Sequence, residues 1–158
     1  MAYILAPEAP APACIFCAFP AAGPDKRREH LILAVGASSY VIMNRYPYNN
    51  GHIMVVPLRH AGDPGAFSDD EWGACGEMVR QATRVLGTAL GAHGFNVGMN
   101  LGRVAGAGID QHCHWHIVPR WNGDTNFMPV VGEVKVMSDH LETSYDRLRP
   151  AFAALDQP

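Results

Sequence analysis

The stretch Gln111-His112-Cys113-His114-Trp115-His116-Ile117-Val118-Pro119-Arg120 has histidine at three alternate positions. Side chains of a β-strand point to its two faces in turn, so residues two apart lie on the same side. We therefore predict a strand over 113–119 with the imidazoles on one face and Trp115 and Ile117 against the core. An imidazole can bind a metal, transfer a proton or attack phosphorus at neutral pH. The stretch predicts a functional surface on a packed strand; the alternative is three solvated histidines on an edge strand.

The composition of the 158-residue chain indicates one domain with a substantial core. Charged residues make up 17% of the chain and apolar residues 48%, and a typical domain has ~25% charged residues. This balance indicates a compact core plus a further buried surface, such as a subunit interface. The net charge of −3 argues against general nucleic-acid binding, although a local basic pocket can still hold a phosphate.

Neither a membrane span nor a secretory signal is expected from the sequence. No apolar run approaches the ~20 residues that a membrane-spanning helix needs. The chain begins Met-Ala-Tyr-Ile-Leu-Ala-Pro-Glu, which has no positive charge ahead of an apolar segment. We therefore expect a cytoplasmic protein that does not associate with membranes.

The chain divides into a Pro- and Ala-rich segment, residues 1–13, expected to be a flexible arm, and a single domain over residues 14–158. Ser68 followed by Glu71 is a capping-box pattern, and the apolar periodicity after it predicts a long helix that ends near Gly91. The other predicted elements are strands at 30–35, 40–44, 52–57, 95–99 and 113–119, a loop at 19–29, and a helix from Ser138 through Phe152. The predicted fold class is α+β, with a roughly five-stranded antiparallel sheet and two helices.

The middle histidine of the stretch is the best candidate for a nucleophile. A nucleophilic histidine presents one ring nitrogen to the substrate, while an acceptor holds the other nitrogen and fixes the tautomer. His114 has His112 and His116 beside it on the same predicted face. The preceding glycine-rich loop, Gly102–Ile109, allows backbone N–H groups to approach a phosphate. Together these features predict a site for a phosphorus electrophile.

On these residues the chain resembles the histidine triad superfamily of nucleotide hydrolases and transferases. The resemblance rests on the stretch His112–Arg120 and on the segment Met43–His52, and it covers most of the chain from Cys14 to about Met128. The segment Trp121–Met128 is similar to the branch of fragile-histidine-triad hydrolases and short diadenosine tetraphosphate phosphorylases. The resemblance implies a nucleotidyl hydrolase or transferase acting on dinucleoside polyphosphates, with a sheet that extends across a homodimer.

The resemblance also implies a role for each matching side chain. His114 would form a covalent nucleotidyl-histidine intermediate, His116 would support the leaving group, and the His112 carbonyl would orient the His114 ring. The nucleotide-binding candidates are Asn44 at the ribose, Asn100 near the phosphates, His52 behind the nucleophile, and Gly106, Ala107, Gly108 and Ile109, whose backbone N–H groups would stabilise the phosphate charge.

Cys14 and Cys17 form a CxxC pair, which in a cytoplasmic chain indicates metal binding or redox chemistry before a disulfide. The resemblance implies a structural zinc held by this pair, by His60 and by His112. Two thiolates and two imidazoles make a closed tetrahedral set that leaves no position for substrate. Two free thiols are the alternative. Magnesium accompanying the polyphosphate substrate is also compatible with the scheme.

One position departs from the family pattern and leaves the acceptor open. Four residues before the first triad histidine many members have glutamine, whereas this chain has Gly108. Without that side-chain amide, both hydrolysis and phosphorolysis of a dinucleoside polyphosphate remain as predictions. Two further hypotheses are a nucleotide-binding sensor with incidental turnover and a metalloprotein without nucleotidyl chemistry.

Overall fold

The computed structural model describes residues 14–125 and 140–157, which form a five-stranded antiparallel sheet with helices around it. The strands are β1 (Ile32–Val35), β2 (Ser39–Met43), β3 (Ile53–Pro57), β4 (Gly94–Gly98) and β5 (Trp115–Arg120). The helices are α1 (Ile15–Ala21), α2 (Arg27–His30), α3 (Asp69–Leu90) and α4 (Leu141–Phe152). The predicted α+β class is confirmed.

The spatial order of the strands, β1-β2-β3-β5-β4, places β5 inside the sheet. His116 on β5 pairs with Met54 of β3 on one side and with Gly98 of β4 on the other. Because hydrogen-bonded strands flank it on both sides, the backbone at His116 has little freedom to move. The sheet therefore provides a rigid base for the last histidine of the triad.

Helix α3 begins and ends where its sequence signals predict. The Ser68 side chain accepts the Glu71 N–H and the Glu71 carboxylate accepts the Ser68 N–H, which forms a capping box. Gly91 ends the helix in the left-handed conformation, with φ of 60°, which a residue without a Cβ adopts at little cost. The side chains that α3 buries are Cys75, Met78, Ala82 and Leu86.

Both faces of the sheet are covered, and β2 and β3 are accordingly buried at every position instead of at alternate ones. One face packs against α3 and α4 through a cluster that includes Val55, Leu86, Ile117, Leu148 and Phe152. The other face packs against α1 through a second cluster of Phe16, Ile32, Tyr40, Ile42, Met54 and Val56. Met54 faces the α1 side, so its cross-strand partner on β5 faces that side as well.

The loop predicted over 19–29 is wrong for most of its length. Helix α1 occupies the first residues of this segment, and the short helix α2 occupies its last residues. Tertiary contacts outweigh the local preference of a Pro- and Gly-rich sequence here, because Phe16 is buried and its carbonyl accepts a hydrogen bond from the Tyr40 hydroxyl at 2.9 Å. Since α2 ends at His30, the first strand begins at Ile32 instead of at residue 30.

The strand predicted over 113–119 begins two residues later than expected. The Cys113 N–H donates to the Ala61 carbonyl at 2.7 Å, outside the ladder of the sheet. His114 therefore lies in the approach to β5, and among the three histidines only His116 belongs to the strand. The prediction that all three histidines lie along one face of a single strand is therefore wrong.

Two predictions fall on parts of the chain that lie outside the described residues. These are the arm over 1–13 and the start of the last helix at Ser138, and α4 is described from Leu141 onward. The division into an arm and one domain stays a prediction. In the described ranges, no helix combines the length and the apolar character that crossing a membrane demands.

Candidate active site and metal centre

His114 is held in one orientation by the backbone of the residue two positions before it. Its Nδ1–H donates to the His112 carbonyl at 2.9 Å. A carbonyl oxygen only accepts, so Nδ1 carries the proton and Nε2 keeps its lone pair. The ring is buried, and this burial lowers the pKa of His114. The arrangement gives a neutral imidazole with one nitrogen available as a nucleophile.

His116 receives the opposite tautomer through a chain of two hydrogen bonds. The Tyr48 backbone N–H donates to His52 Nδ1 at 3.0 Å, so that nitrogen carries no proton. In neutral His52 the proton lies on Nε2, which donates to His116 Nδ1 at 2.9 Å. The proton of neutral His116 is consequently on Nε2. Burial, and secondly the nearby His114, lowers the pKa of His116 to about 4, so the neutral form prevails at pH 7.

A nitrogen lone pair and an N–H donor therefore stand side by side on the wall of one cavity. The rings of His114 and His116 lie 4.9 Å apart between centroids, at 70° to each other. The cavity they border has a volume of about 520 Å³, which is in the range of small-molecule sites. Most of its other walls are apolar and include Phe16, Phe19, Leu31, Ile42, Met54 and Ile109.

The predicted nucleotide-binding residues divide into two groups. Asn44, Gly106, Gly108 and Ile109 border the cavity, whereas His52, Asn100 and Ala107 do not. His52 acts instead behind His116, and Asn100 Nδ2 donates to the Gly106 carbonyl at 3.5 Å, where it supports the glycine-rich loop. Gly106 has φ of 89°, a conformation that favours glycine. Asn44 Oδ1 accepts the Tyr46 N–H at 2.9 Å.

Inspection of the sequence missed the cavity wall that α1 provides. Phe16 and Phe19 border the cavity one helical turn apart, and the Phe16 ring lies 5.0 Å from the His114 ring. It also missed Tyr48, whose ring stands 4.7 Å from His52 and 5.8 Å from His116. The one available signal was the i, i+3 spacing of the two phenylalanines, which frame the second cysteine of the CxxC pair.

The four predicted metal ligands lie together, with donor atoms within 4.8 Å of one another. His112 Nδ1 is 3.3 Å from Cys14 Sγ and 3.3 Å from His60 Nδ1. Cys17 Sγ is 3.4 Å from His60 Nδ1 and 3.6 Å from His112 Nδ1. A tetrahedral zinc with Zn–S of ~2.3 Å and Zn–N of ~2.0 Å separates its ligands by roughly 3.3–3.8 Å. These separations, and the two-sulfur, two-nitrogen donor set, fit a structural zinc.

His112 connects this cluster with the nucleophile. Its Nε2–H donates to the Pro57 carbonyl at 2.8 Å, which leaves Nδ1 for a metal. Burial lowers the pKa of His112 and so favours the neutral ring that can act as a ligand. The same residue holds His114 through its carbonyl. A single residue thus joins the metal cluster to the orientation of the nucleophile.

Fold, triad and cavity define a class, the proteins that carry a histidine triad. A family model described as the HIT domain matches residues 29–123. The chain belongs to the HIT domain family.

Two relatives within this family have named activities. AP-4-A phosphorylase of Mycobacterium tuberculosis (strain CDC 1551 / Oshkosh) is 40% identical over 125 residues, which are 79% of this chain and 64% of that protein. An adenosine 5'-monophosphoramidase of Schizosaccharomyces pombe is 33% identical over 90 residues, 57% of this chain and 64% of that protein. The chain thus spans slightly less than two thirds of the length of each.

Among solved structures, a zinc-bound histidine triad family protein from Mycobacterium smegmatis superposes with a TM-score of 0.71 at 26% identity, over 90% of this chain and 95% of that chain.

Proposed function

We propose that the protein is an enzyme that transfers a nucleoside monophosphate from a dinucleoside polyphosphate, such as diadenosine tetraphosphate, through a covalent nucleotidyl-His114 intermediate. The observation that carries the proposal is the pair of opposite tautomers, a bare Nε2 on His114 beside an Nε2–H on His116. The named activities of the two relatives, both on adenine nucleotides, support a nucleotide as the substrate.

In the first step, His114 Nε2 attacks the α-phosphorus of the bound substrate. A P–N bond forms, the P–O bond to the departing nucleotide breaks, and the departing oxygen takes the electron pair. The Nδ1 proton stays on His114, and the His112 carbonyl stabilises the positive charge that the ring acquires. His116 Nε2–H donates a hydrogen bond to the departing oxygen.

The protonation state of His116 favours leaving groups that depart as anions. With a pKa of about 4, His116 is neutral at pH 7, so it donates a hydrogen bond without transferring its proton. A nucleoside polyphosphate can leave as an anion because the last proton of a terminal phosphate has a pKa of only about 6. An amine leaving group needs a full proton. The site therefore suits polyphosphates better than phosphoramidates.

The glycine-rich loop is proposed to carry the charge of the transferred phosphate in both steps. Gly106 and Gly108 border the cavity beside the two histidines, and Gly106 adopts a positive φ. Successive backbone N–H groups in such a conformation can form an anion-binding concavity. In this proposal the N–H groups over 106–109 replace the glutamine amide that many family members have.

Inorganic phosphate is a second candidate, besides water, for the molecule that takes the nucleotidyl group from His114. Water must lose a proton as it attacks, but His116 Nε2 already carries one and His114 Nε2 is bonded to phosphorus at that stage. A phosphate dianion attacks with an oxygen that is already charged; the P–N bond breaks and a nucleoside diphosphate forms. The M. tuberculosis relative named AP-4-A phosphorylase supports the same acceptor.

Product analysis tests both parts of this proposal. The protein is incubated with diadenosine tetraphosphate, with and without inorganic phosphate, and the nucleotides are separated by anion-exchange chromatography. ADP and ATP formed only with phosphate indicate phosphorolysis, and AMP and ATP formed without phosphate indicate hydrolysis. If neither condition gives turnover, the proposed activity is wrong and a nucleotide sensor becomes the better hypothesis.

We further propose that Cys14, Cys17, His60 and His112 hold a structural zinc. With four protein ligands, the ion keeps no open position for substrate, so its contribution is to crosslink α1 to the segment that carries the nucleophile. The metal reported in the M. smegmatis structure supports this assignment. Magnesium bound with the substrate and a cytoplasmic location stay predictions.

The proposed homodimer is best accommodated at the β4 edge of the sheet. The opposite edge is occupied, because the Val35 N–H donates to Asp156 Oδ1 at 2.9 Å and the Val35 carbonyl accepts from the Gln157 N–H at 2.9 Å. On β4 the side chain of Val97 is exposed, and Val104, in the short helical turn at Arg103–Ala105, is exposed as well. Among residues 14–125 and 140–157, no strand pairs with the outer side of β4. An edge strand with exposed apolar side chains is a typical place for a sheet to continue into a second copy.

A further inference from the structure

His30 lies on the cavity wall at a position that the catalytic scheme does not use. Its ring lies flat on the Phe19 ring, with centroids 4.2 Å apart and planes at 10°. Phe19 is one helical turn beyond Phe16, whose ring lies 5.0 Å from that of His114. These four rings form an aromatic wall that leads away from the nucleophile.

The backbone around His30 is strained in a way that holds the ring at this wall. Leu31, the next residue, has φ of 62°, the one positive φ of a non-glycine residue in the described ranges. The left-handed conformation is unfavourable for a residue with a Cβ, and the burial of Leu31 offsets it. Arg45 Nη2 braces the same turn by donating to the Glu29 carbonyl at 3.0 Å. The turn therefore fixes where α2 ends and where the imidazole stands.

His30 brings hydrogen-bonding capacity to an apolar part of the cavity. Its neighbours on the wall, Phe16, Phe19, Ile42 and Met54, offer no strong donor or acceptor to a ligand. Within residues 14–125 and 140–157, neither ring nitrogen of His30 is engaged in a hydrogen bond. A neutral imidazole offers one donor and one acceptor. Asn44, Arg45, Tyr46 and Tyr48 are further polar residues of the cavity wall, and His30 adds to them a polar group beside the apolar side chains, with both ring nitrogens available.

We propose that His30 is a specificity-determining residue that distinguishes adenine from guanine in the transferred nucleotide. The base lies against the aromatic wall, and one ring nitrogen of His30 forms a hydrogen bond with the edge of the purine. Stacking on aromatic rings binds any base, so the hydrogen bond provides the discrimination. This inference rests on the proposed nucleotidyl transfer, because it takes the α-phosphate of the same nucleotide to lie at His114.

The test compares binding of AMP and GMP, measured by isothermal titration calorimetry, with turnover of the corresponding dinucleoside tetraphosphates. In His30→Phe the flat ring on Phe19 is kept and both nitrogens are lost. We expect the ratio of the larger Kd to the smaller one to decrease by a factor of at least about five in this variant. That factor corresponds to the loss of one net hydrogen bond. The same ratio should be partly restored in His30→Gln, which keeps a donor and an acceptor. His140→Phe, an exposed histidine outside the cavity, is the matched control.

The outcomes separate this inference from the proposed function. Equal Kd values for AMP and GMP in the wild-type protein, or a ratio that is unchanged in His30→Phe, would overturn the role of His30. So would an equal loss of affinity for both nucleotides, since that indicates a wall residue without discrimination. If AMP and GMP bind with a ratio that depends on His30 but no polyphosphate is turned over, the inference stands and the proposed activity fails.

Discussion

The carbonyl oxygen of His112 accepts the Nδ1–H of His114 at 2.9 Å, so that a residue of the metal cluster orients the candidate nucleophile. The side chain of His112 is fixed from the other direction by the Pro57 carbonyl and by its contacts with Cys14 and His60. The metal cluster and the reacting nitrogen thus share one short piece of backbone. A change in the cluster should therefore alter catalysis without removing any group that contacts substrate.

Substitution Cys14→Ser should release the metal and slow the reaction. We expect the wild-type protein to contain about one zinc per chain and the variant to contain little, because one of four ligands loses its thiolate. Without the metal, the His112 backbone should hold the His114 ring less firmly. We therefore expect kcat to fall by roughly 10–100-fold, the usual effect of disturbing residues that orient a site. Elemental analysis and steady-state kinetics measure the two effects.

A matched control for this variant is Cys75→Ser, since Cys75 is buried in the core and lies outside the cluster. It should keep its zinc, as should His114→Ala. A Cys14→Ser protein that retains both zinc and full activity would contradict the link between the cluster and the nucleophile. Loss of zinc in His114→Ala would instead favour a metal site at the triad.

Substitution His114→Ala should abolish turnover while nucleotide binding persists. No other bare ring nitrogen borders the phosphate position in the described part of the cavity wall, because His116 presents its N–H there. We expect kcat to fall by more than about 10³-fold, as for other covalent nucleophiles. Intact-protein mass spectrometry after rapid acid quenching should detect a nucleotidyl adduct in the wild-type protein only. Residual turnover near the wild-type rate would exclude the covalent scheme.

His52 should act on kcat through the tautomer of His116, without affecting substrate affinity. It does not border the cavity, but it donates from Nε2 to His116 Nδ1 at 2.9 Å. Substitution His52→Phe removes this donor, and His116 can then turn its bare nitrogen towards the substrate. We expect kcat to fall by roughly 10–100-fold with KM within about threefold, since a misoriented catalytic group has effects of this size. A rise in KM with unchanged kcat would assign His52 to binding instead.

Much of this architecture could be predicted because the signals are local. The capping box at Ser68, the left-handed Gly91 and the apolar runs of the strands depend on nearest neighbours, and they gave the correct elements. The grouping of Cys14 with His112 came from a family pattern and agrees with the spatial arrangement. The capping box, the glycine and the strand runs each have a sequence signature shorter than about ten residues, whereas the ligand grouping joins residues far apart in the sequence.

The remaining features depend on contacts between distant segments. Helix α1 forms in spite of Pro20 because Phe16 is buried and its carbonyl is bonded to the Tyr40 hydroxyl, which no local pattern indicates. The ends of β5 were misjudged because the Cys113 N–H bonds to Ala61 outside the sheet. The aromatic wall of the cavity follows from the same packing of α1, and so it too was invisible in the sequence.

Substitution Val97→Lys should disrupt the proposed homodimer. Val97 is 45% exposed on β4, which is an edge strand of the sheet formed by residues 14–125 and 140–157. A lysine on an open edge disfavours pairing with another strand. Analytical ultracentrifugation should give a dimer for the wild-type protein and a monomer for the variant. A matched change is Thr88→Lys on the exposed part of α3 beside Ala151 and Leu155, and it should leave the dimer intact. A wild-type monomer would refute the assembly.

The pH dependence of activity should follow the buried histidines of the triad. Burial lowers the pKa of His114 below its ordinary value near 6.5, and the pKa of His116 to about 4. The reactive form is neutral, so kcat/KM should stay level from pH 8 down to below 6.5 and fall only at more acidic pH. The free energy of unfolding should change in the same direction as the activity. Between pH 6.5 and about 4 the unfolded chain binds protons that the folded chain does not, so the folded protein loses stability as the pH falls through this window. A dinucleoside polyphosphate has no terminal phosphate to titrate, and its kcat/KM does not include the later attack by inorganic phosphate. An acid limb of this parameter centred at or above pH 6.5 would therefore contradict neutral, buried histidines.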